Sequence, residues 1–352
     1  PHMSDKELEY VKEVFESNYI APVGEFINRF EDAVKNYTGA ENALALINAT
    51  AALHLALRVL GITSKDRVLV STFTFIGGVA PVLYQGAEPV FIDADEYWQM
   101  DINLLEDALK KENPKAVITA HLYGQVGKIE DIAYLCKKYG AFLIEDAAES
   151  LGALYNGKHS GTFGDFGFYS FNGNKILTTS GGGMLVSDNE EWIKEARFLS
   201  TQAKEPYPWY EHTTYGYNYR MSNVLAAIGV GQMEVIEERV QRKREIFEIY
   251  KSELSDIASF MPEIEKSRGN RWLSTCLFYD KDPLKVMETL AKNKIESRPL
   301  WKPMHLQPLF KNAKAYINGK SEEYFSRGLC LPSGTVMSDD DVRRVCDIIR
   351  NF

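Results

Sequence analysis

Short apolar segments alternate with amphipathic segments between residues 40 and 150, and this alternation restricts the possible folds more than any other feature. The apolar segments predict strands, and apolar residues at three- and four-residue spacing between them predict helices. The predicted strands are 43–47, 67–71, 89–93, 116–120 and 142–146, and the predicted helices are 51–60, 76–85, 103–111 and 128–139. Such alternation favours an α/β fold in which helices cover both faces of a mainly parallel sheet.

The pattern changes after Gly164. Two closely spaced strands are predicted at 166–171 and 183–187, and the glycines at the turn indicate that the loop between them is tightly held. One long helix is predicted from Met221 to about Leu254, with its basic residues (Arg239, Arg242, Lys243 and Arg244) on a solvated face.

A strand at 271–278 and helices at 283–293 and 338–350 complete the predicted elements and are typical of a compact α/β unit. We therefore predict a large domain over residues 1–235 and a smaller C-terminal domain over residues 236–352.

Lys175 lies in the predicted loop, between two short runs of small residues. An ordinary lysine is protonated at neutral pH, so an amine that attacks a carbonyl needs a desolvated or cationic pocket. An amine between two tight turns can approach an aldehyde cofactor such as pyridoxal 5'-phosphate (PLP) closely. Taken alone, the run is equally compatible with a solvated loop lysine.

Asp146 ends the apolar run that begins at Leu143, as an acid does at the carboxyl end of a buried parallel strand. A carboxylate that faces the pyridine nitrogen of PLP keeps this nitrogen protonated, and the pyridinium ring accepts the electron pair released when a Cα proton leaves. An acid that caps the following helix is the alternative. The presence of Lys175 downstream favours the cofactor interpretation.

Two further segments fit a phosphorylated, planar cofactor. Thr50 and the amides of Ala51 and Ala52 are predicted to form a helix N-terminus that suits a phosphate, although Thr50 could be a plain N-cap. Phe75 could lie flat on a planar ring, or it could be a core aromatic.

The composition excludes several classes of protein. The chain has 352 residues, 45% hydrophobic content and a formal net charge of −9, which allows a large core and argues against general binding to nucleic acid or a membrane surface. No apolar run approaches the roughly 20 residues that span a bilayer, and no signal sequence is evident, so we expect a cytoplasmic location. The four cysteines lack the paired spacing of a zinc site, and no metal is predicted.

Five motifs in this order resemble those of the DegT/DnrJ-type sugar-nucleotide aminotransferases, and the resemblance covers almost the whole chain. The motifs are Asn48-Ala-Thr-Ala-Ala, Thr72-Phe-Thr-Phe, Glu145-Asp-Ala-Ala-Glu, Ser170-Phe-Asn-Gly-Asn-Lys and Gly216-Tyr-Asn-Tyr-Arg-Met. The resemblance implies a fold-type-I, aspartate aminotransferase-like PLP enzyme. It also implies a homodimer with active sites at the subunit interface, and transfer of an amino group from an amino acid to a keto-sugar nucleotide. The expected amino donor is L-glutamate.

The resemblance assigns roles by matching position. Lys175 resembles the lysine that forms the Schiff base, Asp146 the pyridinium partner and Phe75 the residue stacked on the ring. Phosphate binding is implied for Thr50, Ala51, Ser170 and, from the other subunit, Asn218, whereas Arg220, Lys302 and His305 are candidates for binding the substrate.

Two positions differ from many family members. Glu149 stands where Gln or His is common near the phenolic oxygen of the cofactor, so this acid must be protonated or hydrogen-bonded to avoid repelling a phenolate. The segment Asn172-Gly-Asn174 most resembles the branch that makes UDP-4-amino-4,6-dideoxy-N-acetylglucosamine, the bacillosamine precursor.

The implied substrate is a UDP-4-keto-6-deoxy-N-acetylhexosamine, aminated at C4. A GDP- or dTDP-linked 3- or 4-keto-6-deoxysugar is an alternative acceptor. A PLP-binding regulator or non-catalytic scaffold is an alternative of another class, because a fold can keep a cofactor without turnover.

Overall fold

The structure, a computed structural model, describes residues 1–352 and contains 12 α-helices and 15 strands. The helices are α1 Lys6–Ser17, α2 Glu25–Thr38, α3 Ala49–Val59, α4 Ala80–Tyr84, α5 Ile102–Glu112, α6 Ile129–Tyr139, α7 Glu190–Ser200, α8 Asn223–Met233, α9 Ile236–Leu254, α10 Pro283–Lys292, α11 Lys320–Arg327 and α12 Asp339–Arg350. The strands are β1 Asn42–Leu46, β2 Arg67–Ser71, β3 Glu88–Ile92, β4 Ala116–Ala120, β5 Phe142–Asp146, β6 Leu154–Tyr155, β7 Lys158–His159, β8 Phe166–Ser170, β9 Gly183–Ser187, β10 Ala258–Phe260, β11 Ser267–Arg268, β12 Ser274–Phe278, β13 Arg298–Pro299, β14 Ala315–Tyr316 and β15 Gly328–Leu331.

The central sheet has eight strands in the order β1-β9-β8-β5-β4-β2-β3-β14. All of them run in one direction except β9, which pairs antiparallel with both β1 and β8. Alternate side chains of β2 contact opposite layers: Val68 and Val70 pack with α3, and Leu69 packs with α5 and α6. The predicted α/β class, the mainly parallel sheet and the helices on both faces are therefore confirmed.

The seven strands that run in one direction bring their carboxyl ends to the same edge of the sheet. In sheets of this type, ligands bind in the crevice outside these carboxyl ends. The five strands predicted before residue 150 all form, each within one residue of its predicted bounds. The sequence pattern therefore identified the edge where a site was expected.

The predicted helix 76–85 is interrupted. A 3-10 turn covers Ile76–Gly78, and α4 begins only at Ala80, with Pro81 in its first turn. Proline has no amide hydrogen, so it suits the first turn of a helix and not the interior. The interruption leaves the backbone of Gly77 and Gly78 facing the crevice.

The predicted helix from Met221 to Leu254 is wrong as a single element, because the backbone leaves the helical region at Val235. The helix α8 is apolar around its circumference and packs against α1 and α2, for which we had no prediction. The helix α9 instead packs on the C-terminal sheet. The predicted solvated face is also wrong for Lys243, which is only 7% exposed and donates to the carbonyl of Trp272.

A second, antiparallel sheet, β10-β12-β15-β13, forms the smaller unit with α9, α10 and α12. The predicted division into residues 1–235 and 236–352 is too simple, because β14 pairs with β3 in the central sheet. Met304 and Phe310 also pack in the core of the large unit. The chain therefore returns to the large domain after building part of the small one. No helix is both long and apolar enough to cross a membrane.

We expect Gly167→Ala to destabilise the central sheet. A Cβ at Gly167 in β8 would lie 1.9 Å from the carbonyl oxygen of Gly161, a backbone atom that can move only with its loop. The overpacking should lower the free energy of unfolding by about 3 kcal/mol, measured by urea denaturation. Gly181→Ala is the matched control, because its Cβ would meet no atom within 4 Å. Equal stability of the two variants would contradict the prediction.

Candidate active site

A cavity of about 300 Å³ opens at the carboxyl edge of the central sheet. Its walls come from the segments that follow β1, β2, β4, β5 and β8, together with the loop that carries Lys175. Its volume lies at the lower end of the range for small-molecule sites. Six of the predicted site residues line this one cavity: Thr50, Phe75, Asp146, Glu149, Ser170 and Lys175.

Asp146, the last residue of β5, is 8% exposed and lies in the wall of the cavity. Its Oδ1 accepts a hydrogen bond from the amide of Ala148 at 3.1 Å, whereas Oδ2 has no partner in the protein. Burial raises the pKa of Asp146 to about 6, with a smaller increase from the charge of Glu149. A buried carboxylate with one free oxygen is suited to pair with a cation in the cavity.

Gly78 permits this arrangement of Asp146. A Cβ at position 78 would lie 2.4 Å from Asp146 Oδ2, so any larger residue would displace the carboxylate or occupy the space in front of it. The absence of a side chain leaves room for a flat ring to approach Asp146.

Lys175 is fixed by the backbone of its loop. Phe171 donates to the carbonyl of Gly182 at 2.9 Å, and Thr179 donates to the carbonyl of Phe171 at 2.9 Å, so the two ends of the loop are paired. The amide of Lys175 donates to the carbonyl of Asn172 at 3.0 Å. The tightly held loop is confirmed, and the Lys175 side chain is only 11% exposed in the cavity wall. The alternative of a solvated loop lysine is therefore wrong.

The N-terminus of α3 forms another wall. The N-cap is Asn48, whose Oδ1 accepts from the amide of Ala51 at 2.7 Å. The prediction that the Ala51 amide is free to bind phosphate is therefore wrong, and the helix cap is Asn48 instead of Thr50. The amides of Ala49 and Thr50 are left without partners inside the helix, next to the Thr50 hydroxyl. Asn48, Ala49, Thr50 and Ser170 line the cavity, and a helix N-terminus of this kind binds phosphate.

Phe75 lies on the cavity wall and is 50% exposed, so it is not a core aromatic. Its ring packs against the indole of Trp301 with centroids 5.3 Å apart. The core position in this motif belongs to Phe73, which is 3% exposed. Phe75 therefore contributes an aromatic ring to the cavity that Asp146 and Lys175 also line.

Glu149 is buried in the same wall. Its Oε2 accepts from the amide of Tyr123 at 2.7 Å, and its Oε1 lies 3.6 Å from Lys175 Nζ. Burial raises the pKa of Glu149, and the charge of Lys175 opposes this increase. The sequence requirement that this acid be hydrogen-bonded is met by the Tyr123 amide.

Several residues that line the cavity were not predicted from the sequence, among them His121, Trp272 and Trp301. His121 directly follows β4 and could have been found by the reasoning that found Asp146 at the end of β5. Its Nε2 lies 2.7 Å from Glu145 Oε2, and both side chains are fully buried. No sequence signal indicated Trp272 or Trp301, because both come from distant segments of the C-terminal half.

Besides Ala51, four predicted residues do not line the cavity of their own chain: Asn218, Arg220, Lys302 and His305. Asn218 is exposed, and its backbone pairs with that of Thr201. Arg220 is half-buried and pairs through its backbone with Leu46 at the end of β1. The role of Asn218 in the cavity of a second subunit stays a prediction.

Lys302 is exposed and forms no ion pair. His305 has a partner at each ring nitrogen: Nδ1 lies 2.7 Å from Thr72 Oγ1, and Nε2 lies 3.1 Å from Glu322. These contacts are those of a satisfied histidine, so a role of His305 in binding substrate would require it to exchange a partner.

The residues of the cavity fit PLP. Free amides and hydroxyls at the N-terminus of α3 suit its phosphate, Asp146 Oδ2 suits its ring nitrogen, Phe75 suits the face of its ring, and Lys175 suits its aldehyde. Asp146 Oδ2 is the most specific of these features, because a charged oxygen of a buried carboxylate is costly unless a cation or a donor pairs with it.

Comparison with known proteins also indicates an aminotransferase. The family model described as the DegT/DnrJ/EryC1/StrS aminotransferase family matches residues 1–350. The "Putative pyridoxal phosphate-dependent aminotransferase EpsN" of Bacillus subtilis (strain 168) is 49% identical, covering 99% of this chain and 93% of the relative. The GDP-perosamine synthase of Escherichia coli O157:H7 is 36% identical, covering 100% of this chain and 97% of the relative.

A solved structure supports the same relationship. The "Putative sugar aminotransferase Spr1654 from Streptococcus pneumoniae, PLP-form" has a TM-score of 0.94 and 26% identity, covering 100% of this chain and 96% of that chain.

Proposed function

Because the chain belongs to the DegT/DnrJ/EryC1/StrS aminotransferase family of PLP-dependent sugar aminotransferases, we propose that it transfers an amino group from L-glutamate to the keto carbon of a nucleotide-linked sugar. The observation that carries this proposal is the meeting of Lys175 and Asp146 at one cavity, with a helix N-terminus in its wall. An amine, a ring-nitrogen partner and a phosphate site are the groups that amino transfer requires.

The mechanism assigns distinct tasks to these side chains. Bound PLP supplies an aldehyde that exchanges amino groups and a ring that takes up an electron pair. Lys175 Nζ accepts the Cα proton of the donor amino acid in the first half-reaction and returns a proton to the sugar carbon in the second. Asp146 Oδ2 would accept a hydrogen bond from the ring nitrogen and keep it protonated, and the buried walls would exclude water while the proton moves.

For the acceptor we propose C4 of a UDP-4-keto-6-deoxy-N-acetylhexosamine, giving a UDP-4-amino sugar. The resemblance of Asn172-Gly-Asn174 to the bacillosamine branch supports this substrate. A GDP-linked keto-sugar is the second candidate, because three GDP-perosamine synthases are 35–37% identical over nearly the whole chain. The name of the 49% identical relative specifies no sugar.

A panel of keto-sugar nucleotides distinguishes these acceptors. Purified enzyme is incubated with glutamate and the UDP-, GDP- or dTDP-linked 4-keto-6-deoxysugar, and with the corresponding 3-keto sugars. Product NMR then reports the acceptor, the aminated carbon and its configuration together. We expect the highest kcat/KM with the UDP-linked N-acetylated sugar, and a preference for the GDP-linked sugar would overturn this assignment.

We further propose that two copies of the chain share their active sites. Asn218 is exposed and does not line the cavity of its own chain, which supports its reaching the cofactor phosphate in the other cavity. Arg220, Lys302 and His305 are the candidates for binding the sugar diphosphate, because an acidic protein must supply local cations to a dianion.

Mixed dimers test the shared site. Subunits carrying Lys175→Ala and subunits carrying Asn218→Ala are each expected to have little activity. If the partner subunit's Asn218 completes each site, a heterodimer of the two has one site with both residues intact. Random re-association should then restore about a quarter of the wild-type activity. Failure of mixing to restore activity, in samples shown to exchange subunits, would contradict the shared site.

A further inference from the structure

The amine of Lys175 lies between two groups that both favour a positive charge. Glu149 Oε1 is 3.6 Å from Lys175 Nζ on one side, and the centroid of the Trp272 ring is 4.0 Å from it on the other. Glu149 is the one carboxylate that forms an ion pair with Lys175, and its side chain is 8% exposed. Trp272 is 1% exposed. The contact geometry is therefore that of a buried site for an ammonium ion.

Glu149 and Trp272 are both held in place by hydrogen bonds. The amide of Tyr123 fixes Glu149 Oε2 at 2.7 Å. The indole Nε1 of Trp272 donates to the carbonyl of Asn174 at 2.7 Å, which ties the ring to the residue before Lys175. The carbonyl of Trp272 in turn accepts from the buried Lys243 at 2.8 Å. The two walls of the site cannot easily move away from the amine.

We propose that Glu149 and Trp272 form a cation site that stabilises Lys175 while it carries a proton, and that both are positioning residues for proton transfer. The inference rests on the proposed role of Lys175 as the base. When a proton leaves the donor Cα and joins Nζ, a buried positive charge appears, and an unpaired buried charge would be costly. The Glu149 carboxylate makes the pair neutral, and the face of the indole adds attraction. Nζ would then pass this proton to the exocyclic carbon of bound PLP, and in the second half-reaction it would take a proton from that carbon and give it to the sugar carbon, so the pair returns to its starting charge in each half-reaction.

The charge and the shape of the Glu149 side chain can be separated by one substitution. Glutamine at 149 could still accept from the Tyr123 amide, but it would carry no charge to offset the ammonium. Glu149→Gln therefore removes the charge and keeps the shape, which makes it the sharpest variant for the test.

The test measures the rate at which the free amine of Lys175 reacts with an acetylating reagent. Full-length enzyme freed of its cofactor is treated briefly with acetic anhydride at about pH 7, where only uncharged amines react. The acetylation rate of Lys175 is followed by peptide mass spectrometry relative to exposed Lys137. Because Glu149→Gln removes the negative charge that lies 3.6 Å from the amine, it should accelerate acetylation about tenfold. Trp272→Phe should accelerate it about threefold, since the smaller ring attracts a cation less strongly.

Glu112→Gln is the matched control, because it also removes a fully buried carboxylate paired with a lysine, but far from the cavity. It should leave the acetylation of Lys175 unchanged. Acidic and phenolic groups near the pair (Asp146, Tyr123 and Cys330) remain in all variants and affect them equally. Lys175 rates within twofold of wild type in both Glu149→Gln and Trp272→Phe would overturn the inference. If one variant does not fold, as judged by circular dichroism, the other decides.

Turnover gives a second readout. In the PLP-loaded enzyme, Glu149→Gln should lower kcat about tenfold and leave KM for the keto-sugar unchanged, since Glu149 acts on the proton carrier. A change confined to KM would contradict the positioning role. The acetylation result does not depend on any sugar, so failure of wild-type enzyme to aminate a keto-sugar would refute the proposed function separately.

Discussion

Replacement of Lys175 by alanine is expected to reduce 2-oxoglutarate release from glutamate by about 10⁴-fold. The variant loses the amine that receives the Cα proton, and no other lysine lines the cavity. Glu149 and Asp146 are carboxyl groups, each engaged with another partner. Amination of the keto-sugar should fall by a similar factor, because the same amine returns the proton.

The control for this variant is retained cofactor binding. The proposed phosphate contacts come from the N-terminus of α3 and Ser170, which line the cavity and which Lys175→Ala does not alter. Equilibrium dialysis should therefore still detect bound PLP, although more weakly. Lys137→Ala, at an exposed position, should leave both activity and binding unchanged. Release of 2-oxoglutarate by Lys175→Ala at more than a hundredth of the wild-type rate would refute the role of this lysine.

Asp146→Asn should give the second largest loss, about 10²- to 10³-fold in kcat. The amide has nearly the shape of the carboxylate, so the hydrogen bond from Ala148 can remain, but no negative charge faces the ring nitrogen. Without that charge the ring nitrogen loses its proton more readily and takes up the electron pair poorly. Stopped-flow measurement of the first half-reaction with glutamate would report the change directly.

The pH dependence of PLP binding provides an independent check on Asp146. Burial raises the pKa of Asp146 in the cofactor-free protein to about 6. Below this pH the carboxyl is neutral and no longer attracts the protonated ring nitrogen, so the affinity for PLP should fall about tenfold for each further pH unit. Asp146→Asn should lack this component, whereas the titrations of PLP itself affect both proteins equally. Identical pH curves for the two proteins would show that Asp146 does not pair with the ring.

The sequence predicted the central sheet well because its signal is local. A buried parallel strand is a continuous apolar run, and each run between 42 and 146 is followed by a recognisable helix or turn. The prediction of one long helix was wrong because the break in it has no local signal. Both α8 and α9 have strong helical character, and the break at Val235 arises because they pack on different domains, which no local pattern records. The same holds for β14, whose two residues join the sheet only through pairing with distant β3.

The residues of the candidate site were likewise predicted where the signal is local and missed where it is not. Lys175, Asp146, Thr50, Phe75 and Ser170 were found because each lies at the end of a strand or in a loop with its own motif. The Ala51 amide was misassigned because the choice between Asn48 and Thr50 as the helix cap depends on backbone angles at the helix start. Trp272 was missed because nothing near it in the chain is unusual, and it acquires its position through Asn174 and Lys243.

By itself, the sequence determined the fold class, the edge of the sheet that carries the candidate site, and the amine and acid that line one cavity there. These follow from short-range periodicity and from the rule that parallel strands end on one side. Only the tertiary structure decided that Glu149 and Trp272 enclose Lys175, that Lys243 is buried and that the C-terminal half returns to the large sheet. Such contacts join residues that lie tens to hundreds of positions apart. Their energies come from close packing and charge pairing in three dimensions, which the order of residues along the chain does not express.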